Sequence, residues 1–337
     1  MKKPKVFISH WMPQIGVDMI RQHCEVDYYD GTEPLAKEAF IARASKCDAV
    51  LAFVCDHIDE EIVESCPDVR VFSSFGKGFD NIDVEACTKR NVLVTVNPDA
   101  LTESTADLAM GLVLSLSRNI LVGDSHVRSK AFKGWHAVNH LGRDFHHSKL
   151  GLIGFGVIGQ AIARRAKGFD VEISYCDVRR FPEIEHSLGV KYADLPALLS
   201  QSDFVVIAVD LRPENYHLIN RERLSMMKHN SFLINISRGS IVNEADVAEA
   251  LACNKLRGYA ADVFEFEDVL IKSRPSYISD ELLAQTSKTI FTPHIGTGTL
   301  EARERLAVSS ATQLLTALQG KLPSGAVNQV KLNPLLV

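Results

Sequence analysis

The chain has 337 residues, too many for one ordinary hydrophobic core and enough for two domains. With 46% apolar and 23% charged residues it has the make-up of a globular protein. Its net charge of -5 offers no surface for nucleic acid or an anionic membrane, so a small anionic substrate needs a locally basic site.

At the N-terminus, Lys2, Lys3 and Lys5 precede only the short apolar run Val6, Phe7, Ile8, which is no secretory leader. Residues 6–8, 49–54, 69–72 and 92–96 read as buried strands, and 16–23 and 34–45 as amphipathic helices between them. Near Asn97, Pro98 and Asp99 the rhythm breaks, and 102–119 gives a long helix of small and apolar residues. A second strand–helix series opens at Lys149, with strands at 149–153, 171–175, 204–209, 232–236 and 259–263. Thr292, Pro293 and His294 make another break before a helix at about 299–319. This alternation implies parallel sheets covered on both faces. It predicts an α/β fold of two doubly wound parallel-sheet domains, with 99–293 inserted into a discontinuous domain of 1–98 plus 294–337.

The longest apolar strand, 204–209, is far short of a membrane span. Seven cysteines, odd in number and with no Cys-x-x-Cys pair, read as buried thiols in a reducing compartment, and a cytoplasmic location is expected. His136, His140, His146 and His147 lack an accompanying carboxylate or cysteine cluster, so no metal site is expected there. Trp135 and its loop are expected to serve a subunit contact or a lid.

The strand at 149–153 runs into Gly154, Phe155, Gly156, Val157, Ile158 and Gly159, after which 160–167 continues as a helix. A Gly-x-Gly-x-x-Gly turn in this setting is the dinucleotide fingerprint. Gly154 permits the tight turn, Gly156 lets backbone approach the pyrophosphate, and Gly159 allows close helix–strand packing. The next strand ends at Asp177, 18 residues past Gly159, where a carboxylate accepts from ribose hydroxyls and repels a 2′-phosphate. This favours NAD. Arg179 and Arg180 read equally as partners for a 2′-phosphate or as solvated surface.

Arg238, Glu267 and His294 lie just beyond strand ends or at the break, where ligands of open α/β sheets bind. Together with the segment 76–83 (Gly76, Lys77, Gly78, Phe79, Asp80, Asn81, Ile82, Asp83) and the glycine loop, they resemble the D-2-hydroxyacid dehydrogenase family over nearly the whole chain. The resemblance implies a Rossmann NAD-binding domain inserted into a flavodoxin-like substrate and catalytic domain. It implies His294 as general acid/base, Glu267 as its partner and Arg238 as substrate anchor. The chemistry agrees: a developing alkoxide needs a proton donor, imidazole titrates near neutrality, and guanidinium offers a planar fork to an acid. The resemblance further implies Asp262, Thr105 and Ser237 as cofactor contacts, Lys77, Gly78, Val54 and Arg303 as substrate contacts, and a homodimer through the cofactor domain.

Within the family, Lys77, the acidic Glu267–Asp268 pair in place of Glu-Pro, the insert at 269–280 with Arg274 and Pro275, and Arg303 look like phosphite (phosphonate) dehydrogenases. Val54, His140, Ser237 and Asp210 depart from that subgroup's usual Met, Tyr, Cys and Pro. The first expectation is therefore oxidation of phosphite with NAD. The alternative is a 2-hydroxy/2-keto acid couple of the glyoxylate, hydroxypyruvate or phosphonopyruvate type. A non-catalytic NAD(H)-sensing protein is the outside alternative.

Overall fold

Short runs of valine, leucine, isoleucine and alanine, bounded by turn residues, become strands buried on both faces, as parallel sheets require. The computed structural model describes residues 3–336; Lys2, part of the N-terminal reading above, lies with Met1 and Val337 outside the described residues. The chain divides into two compact units, one of Met1–Leu101, Val269–Lys272 and Thr297–Val337, the other of Thr102–Asp268 and Ser273–Gly296.

In the first unit the strands are β1 (Lys5–Ile8), β2 (Glu25–Tyr28), β3 (Ala49–Ala52), β4 (Val71–Ser74) and β5 (Leu93–Thr95). They pair in parallel in the order β2-β1-β3-β4-β5. β3 and β4 are buried at every residue, whereas β2 is an edge strand of part-exposed residues. That explains why β2 was not anticipated: Glu25 and Asp27 interrupt its apolar pattern. The late helix Leu300–Leu318 belongs to this unit and buries Leu306, Ala307, Ala311 and Leu314. Its partner helix Gln14–His23 carries Gly16 where a Cβ would come within 2.8 Å of the Ala307 carbonyl. Asn97 ties the same helix to the sheet, since its Nδ2 donates to the Ser74 carbonyl and to Ser310 Oγ, each at 2.9 Å.

The second unit holds β6 (Lys149–Ile153), β7 (Glu172–Cys176), β8 (Lys191–Tyr192), β9 (Phe204–Ile207), β10 (Ser231–Asn235), β11 (Leu256–Ala261) and β12 (Thr289–Phe291). The order β12-β11-β10-β9-β6-β7-β8 is parallel throughout and reverses direction of growth between β6 and β9. One face packs Leu152, Val206 and Ile234 against Ala106, Ala109 and Val113 of helix Thr102–Ser117. The other packs Val205, Leu233 and Tyr259 against Val247 and Leu251. Both sheets are therefore doubly wound, and the expected fold class is observed.

The division falls at Leu101 and Gly296 instead of at the two prolines. Backbone N–H groups of His294, Ile295 and Gly296 all donate to Asp262, and Thr105 Oγ1 donates to the Gly296 carbonyl, which holds 294–296 in the second unit. Hydrogen bonding past Pro293, rather than the proline, sets that boundary. Among the described residues no single helix is long and apolar enough to cross a membrane, although the bent pair Thr102–Ser117 and Ile120–Arg128 passes on length and composition together.

Candidate active site

The glycine loop occupies the carboxyl end of β6, beside the reversal in strand order where open sheets bind ligands. Gly154 has φ +94° and lies under the Ala208 carbonyl, so only glycine fits. A Cβ on Gly159 would approach the Gly154 carbonyl to 2.3 Å, which closes loop against helix. At Gly156 the opposite holds: nothing lies within 4 Å of a Cβ, so the backbone faces open space. Helix Val157–Ala166 begins at that point, earlier than the expected residue 160, and directs its unpaired first-turn N–H groups there. Room, backbone donors and helix polarity fit a pyrophosphate. Val157 stays exposed and Ile158 half-buried, while Phe155 is fully buried and stacks on Tyr175 at 4.0 Å.

Asp177, just past β7, accepts from the Phe155 N–H at 2.7 Å through Oδ2 and from the Arg179 N–H at 3.3 Å through Oδ1. It therefore braces the loop as well as sitting at the position expected to read ribose. Arg179 lies over the Phe181 ring at 4.6 Å, and Arg180 pairs with Glu185 at 2.7 Å.

Arg238, Glu267 and His294 follow β10, β11 and β12, three adjacent strands, and the two turns that carry Arg238 and Glu267 touch directly. A Cβ on Gly239 would fall 1.8 Å from the Phe264 carbonyl carbon and 2.1 Å from Glu265 N, so that contact tolerates only glycine. His294 Nδ1 is 2.7 Å from Glu267 Oε2, and the other carboxylate oxygen accepts the Phe264 N–H at 2.7 Å. Both oxygens of Glu267 are thus engaged, which fixes the imidazole and leaves Nε2 for a ligand. His294 has φ +52°, a left-handed backbone rarely adopted by histidine. Its N–H is held there by the carbonyls of Asp262 and Thr292, at 2.8 and 3.0 Å.

Asp262, expected to reach the cofactor, also has protein donors on both carboxylate oxygens. Oδ1 accepts from Thr292 Oγ1 and the Ile295 N–H, and Oδ2 from the Gly296 N–H, at 2.6, 2.8 and 2.8 Å. Burial pushes its carboxyl up, against the pull of those donors and of His294. It anchors the turn that carries His294. Thr105, buried, fastens the same turn at Gly296. Ser237 N and Oγ both donate to Asn235 Oδ1, at 3.1 and 2.9 Å, while Asn235 Nδ2 donates to the Arg238 carbonyl at 2.8 Å. Arg238 Nη1 donates to the Ser237 carbonyl at 2.8 Å.

Sequence reasoning missed this supporting layer. Asn235 is fully buried at the end of an apolar strand, and that placement was the available signal. Glu265 accepts from His217 Nε2 and from the Glu244 N–H, at 2.9 and 2.8 Å, and Glu244 Oε1 accepts the Glu265 N–H at 2.9 Å. Burial, with Glu265, Glu267 and Asp268 nearby, pushes the Glu244 carboxyl up to about 7.

The residues expected to hold the substrate belong to the first unit. Val54 is exposed beyond β3 and Lys77 half-buried beyond β4, the neighbouring strand. The Gly78 carbonyl accepts from Ser74 Oγ at 3.1 Å. Arg303 is half-buried in the first turns of helix Leu300–Leu318, and burial lowers its affinity for the proton. In the same unit His10, Cys55 and Asp56 bring three metal-ligating atoms within 4.8 Å of one another, a grouping the sequence reading did not anticipate. His10 follows β1 and Cys55 follows β3, and the pairing of those strands brings them together.

The family described as D-isomer specific 2-hydroxyacid dehydrogenase, NAD binding domain, matches residues 110–296. Over 331 residues the chain is 39% identical to a glyoxylate reductase of Pyrococcus horikoshii, a match spanning 97% of this chain and 96% of that protein. The crystal structure of a Thermus thermophilus protein has a TM-score of 0.86 at 32% identity, over 96% of this chain and 100% of the other. D-Lactate dehydrogenase of Aquifex aeolicus, solved with NAD and lactic acid, gives 0.81 at 27% identity, over 94% and 96%.

Proposed function

Because the chain belongs to the D-isomer specific 2-hydroxyacid dehydrogenase family, with an NAD-binding domain, we propose that it reduces a small 2-keto acid of the glyoxylate class to its 2-hydroxy acid. The observation that carries this reading is the His294–Glu267 pair, 2.7 Å apart at the carboxyl ends of the strands that adjoin Arg238. When bound, NADH supplies the hydride. Arg238 holds the substrate carboxylate in its planar fork and draws electron density from the carbonyl. His294 delivers a proton from Nε2 to the carbonyl oxygen, and Glu267 keeps the ring aimed.

Phosphite oxidation was the first expectation, and relatives named glyoxylate reductase favour the keto-acid couple over it. Two of its signatures also have structural employment here. Asp268 is buried and accepts the Ser240 N–H at 2.7 Å, tying the Glu267 turn to the segment after Arg238. Arg274 of the insert donates to the Phe266 carbonyl at 3.1 Å. Neither arrangement calls for phosphite. A substrate panel decides: glyoxylate or hydroxypyruvate should oxidise NADH rapidly, and phosphite should produce no NADH. Turnover confined to phosphite would reverse the reading, and tight NADH binding without turnover of any acid would favour a sensor.

The chain is further proposed to act as a homodimer. Phe132, Trp135, Val138 and Leu141 lie exposed in one segment of the second unit, and clustered apolar exposure of this kind marks interaction surfaces. Trp135→Asp should convert a dimer to a monomer in sedimentation, and a wild-type monomer at micromolar concentration would end the proposal.

A further inference from the structure

His10, Cys55 and Asp56 belong to the first unit, and no step assigned to the reaction uses them. Cys55 Sγ is 3.2 Å from His10 Nε2, and an Asp56 oxygen completes a group whose ligand atoms all lie within 4.8 Å. In a tetrahedral zinc site, sulfur and nitrogen ligands sit about 3.5 Å apart, from metal–ligand lengths of roughly 2.3 and 2.1 Å. The observed spacing needs only a small outward shift to admit an ion.

Two of the three ligands are already oriented by something else. The His10 ring is buried against Phe53 and Tyr29, at centroid distances of 5.4 and 6.0 Å, which limits its rotation. Nε2 is turned to Cys55, and in the tautomer with its proton on Nδ1 the Nε2 lone pair points at the group. Asp56, 4% exposed, has Oδ2 held by Ser9 Oγ and by the Phe53 N–H, the latter at 2.7 Å. Secondary partners of this kind are what metal ligands carry in built sites. Of the three residues, Cys55 is exposed and His10 and Asp56 are buried. Glu33 adds negative charge facing both His10 and Cys55.

We propose that His10, Cys55 and Asp56 form a three-ligand site for a zinc-class divalent cation. The donor set of imidazole, thiolate and carboxylate suits Zn²⁺ or Co²⁺ and disfavours Mg²⁺ and Ca²⁺, which take oxygen ligands. Coordination exchanges the Cys55 thiol proton, released to solvent, for the metal–sulfur bond. The bound ion would stiffen the 53–56 turn, which also carries Val54. That turn is otherwise fastened by Asn81 Nδ2, which donates to the carbonyls of Phe53 and Asp56 at 2.9 and 2.8 Å.

The test uses the full chain, reduced and stripped with chelator, titrated with Co²⁺. One equivalent should produce the near-ultraviolet thiolate-to-cobalt charge-transfer absorption, and Zn²⁺ should displace it. Cys55→Ser should abolish the absorption and weaken Zn²⁺ binding by more than about 100-fold, beyond what loss of a secondary partner costs. Cys253→Ser, at the other exposed thiol, should change neither. His10→Gln should weaken Zn²⁺ binding to a similar degree, with NADH binding as the check that the chain is folded. Absence of the absorption in the parent protein, or its survival in Cys55→Ser, would overturn the assignment.

Discussion

Replacing His294 with asparagine is expected to lower kcat for glyoxylate reduction by about 10²–10⁴-fold, the range that a positioned general acid supplies. Asparagine is the informative choice because of the backbone. At φ +52° most residues are strained, but asparagine adopts the left-handed region readily, so the turn and its bonds to Asp262 survive the change. What disappears is a titrating nitrogen at the Nε2 position. NADH affinity, followed by fluorescence titration, should stay at the parental level, since the loop at 154–159 is untouched. A kcat within tenfold of the parent would remove His294 from the reaction, and equal losses of rate and cofactor affinity would make its role structural. Glu267→Gln should cost less, because the amide still accepts the Phe264 N–H through its oxygen but presents an NH₂ group to Nδ1.

Arg238→Ala should reduce kcat/KM by about 10²–10³-fold, on the order of 3–4 kcal/mol, as loss of a charged anchor and of carbonyl polarisation requires. Arg238→Lys should recover only part of it: the charge remains, but a point ammonium cannot hold a carboxylate by two parallel bonds. Initial rates over a range of glyoxylate separate the two contributions, because anchoring appears in KM and polarisation in kcat. Full activity in the lysine variant would show that charge alone suffices. The turn itself should persist in both variants. Asn235 and Gly239 hold it through the backbone, at the Arg238 carbonyl and against Phe264, without using the guanidinium.

Features encoded by neighbours in the chain were legible beforehand. The glycine loop, the central strands and the long helices announce themselves through composition and period. The edge strands β2, β8 and β12 did not: Glu25, Asp27 and Lys191 interrupt the apolar pattern of the first two, and β12 is only three residues long. Arg238, Glu267 and His294 were found by their place after strand ends. What holds them was hidden, since Asp262 reaches Gly296 and Asp268 reaches Ser240 across 34 and 28 residues. Asp268 and Arg274, which in the sequence look like signatures of the phosphite subgroup, also support backbone, at the Ser240 N–H and the Phe266 carbonyl. His10 and Cys55 escaped notice for a related reason, as only the parallel pairing of β1 with β3 makes them neighbours.

The discontinuity of the first unit has a consequence for the order of events during synthesis. Strands β1 to β5 leave the ribosome first, yet the helix that covers β4 and packs on Gly16 is Leu300–Leu318, and residue 325 pairs with Val96 only later still. The whole second unit is translated in between, which at about 5–20 residues per second takes roughly 10 to 40 seconds. Over that interval the nascent first sheet keeps an apolar face uncovered, while the inserted unit has everything it needs to close. The second half of the molecule thus matures before the first, and the early sheet depends on chaperone cover or loose collapse until its last helix arrives.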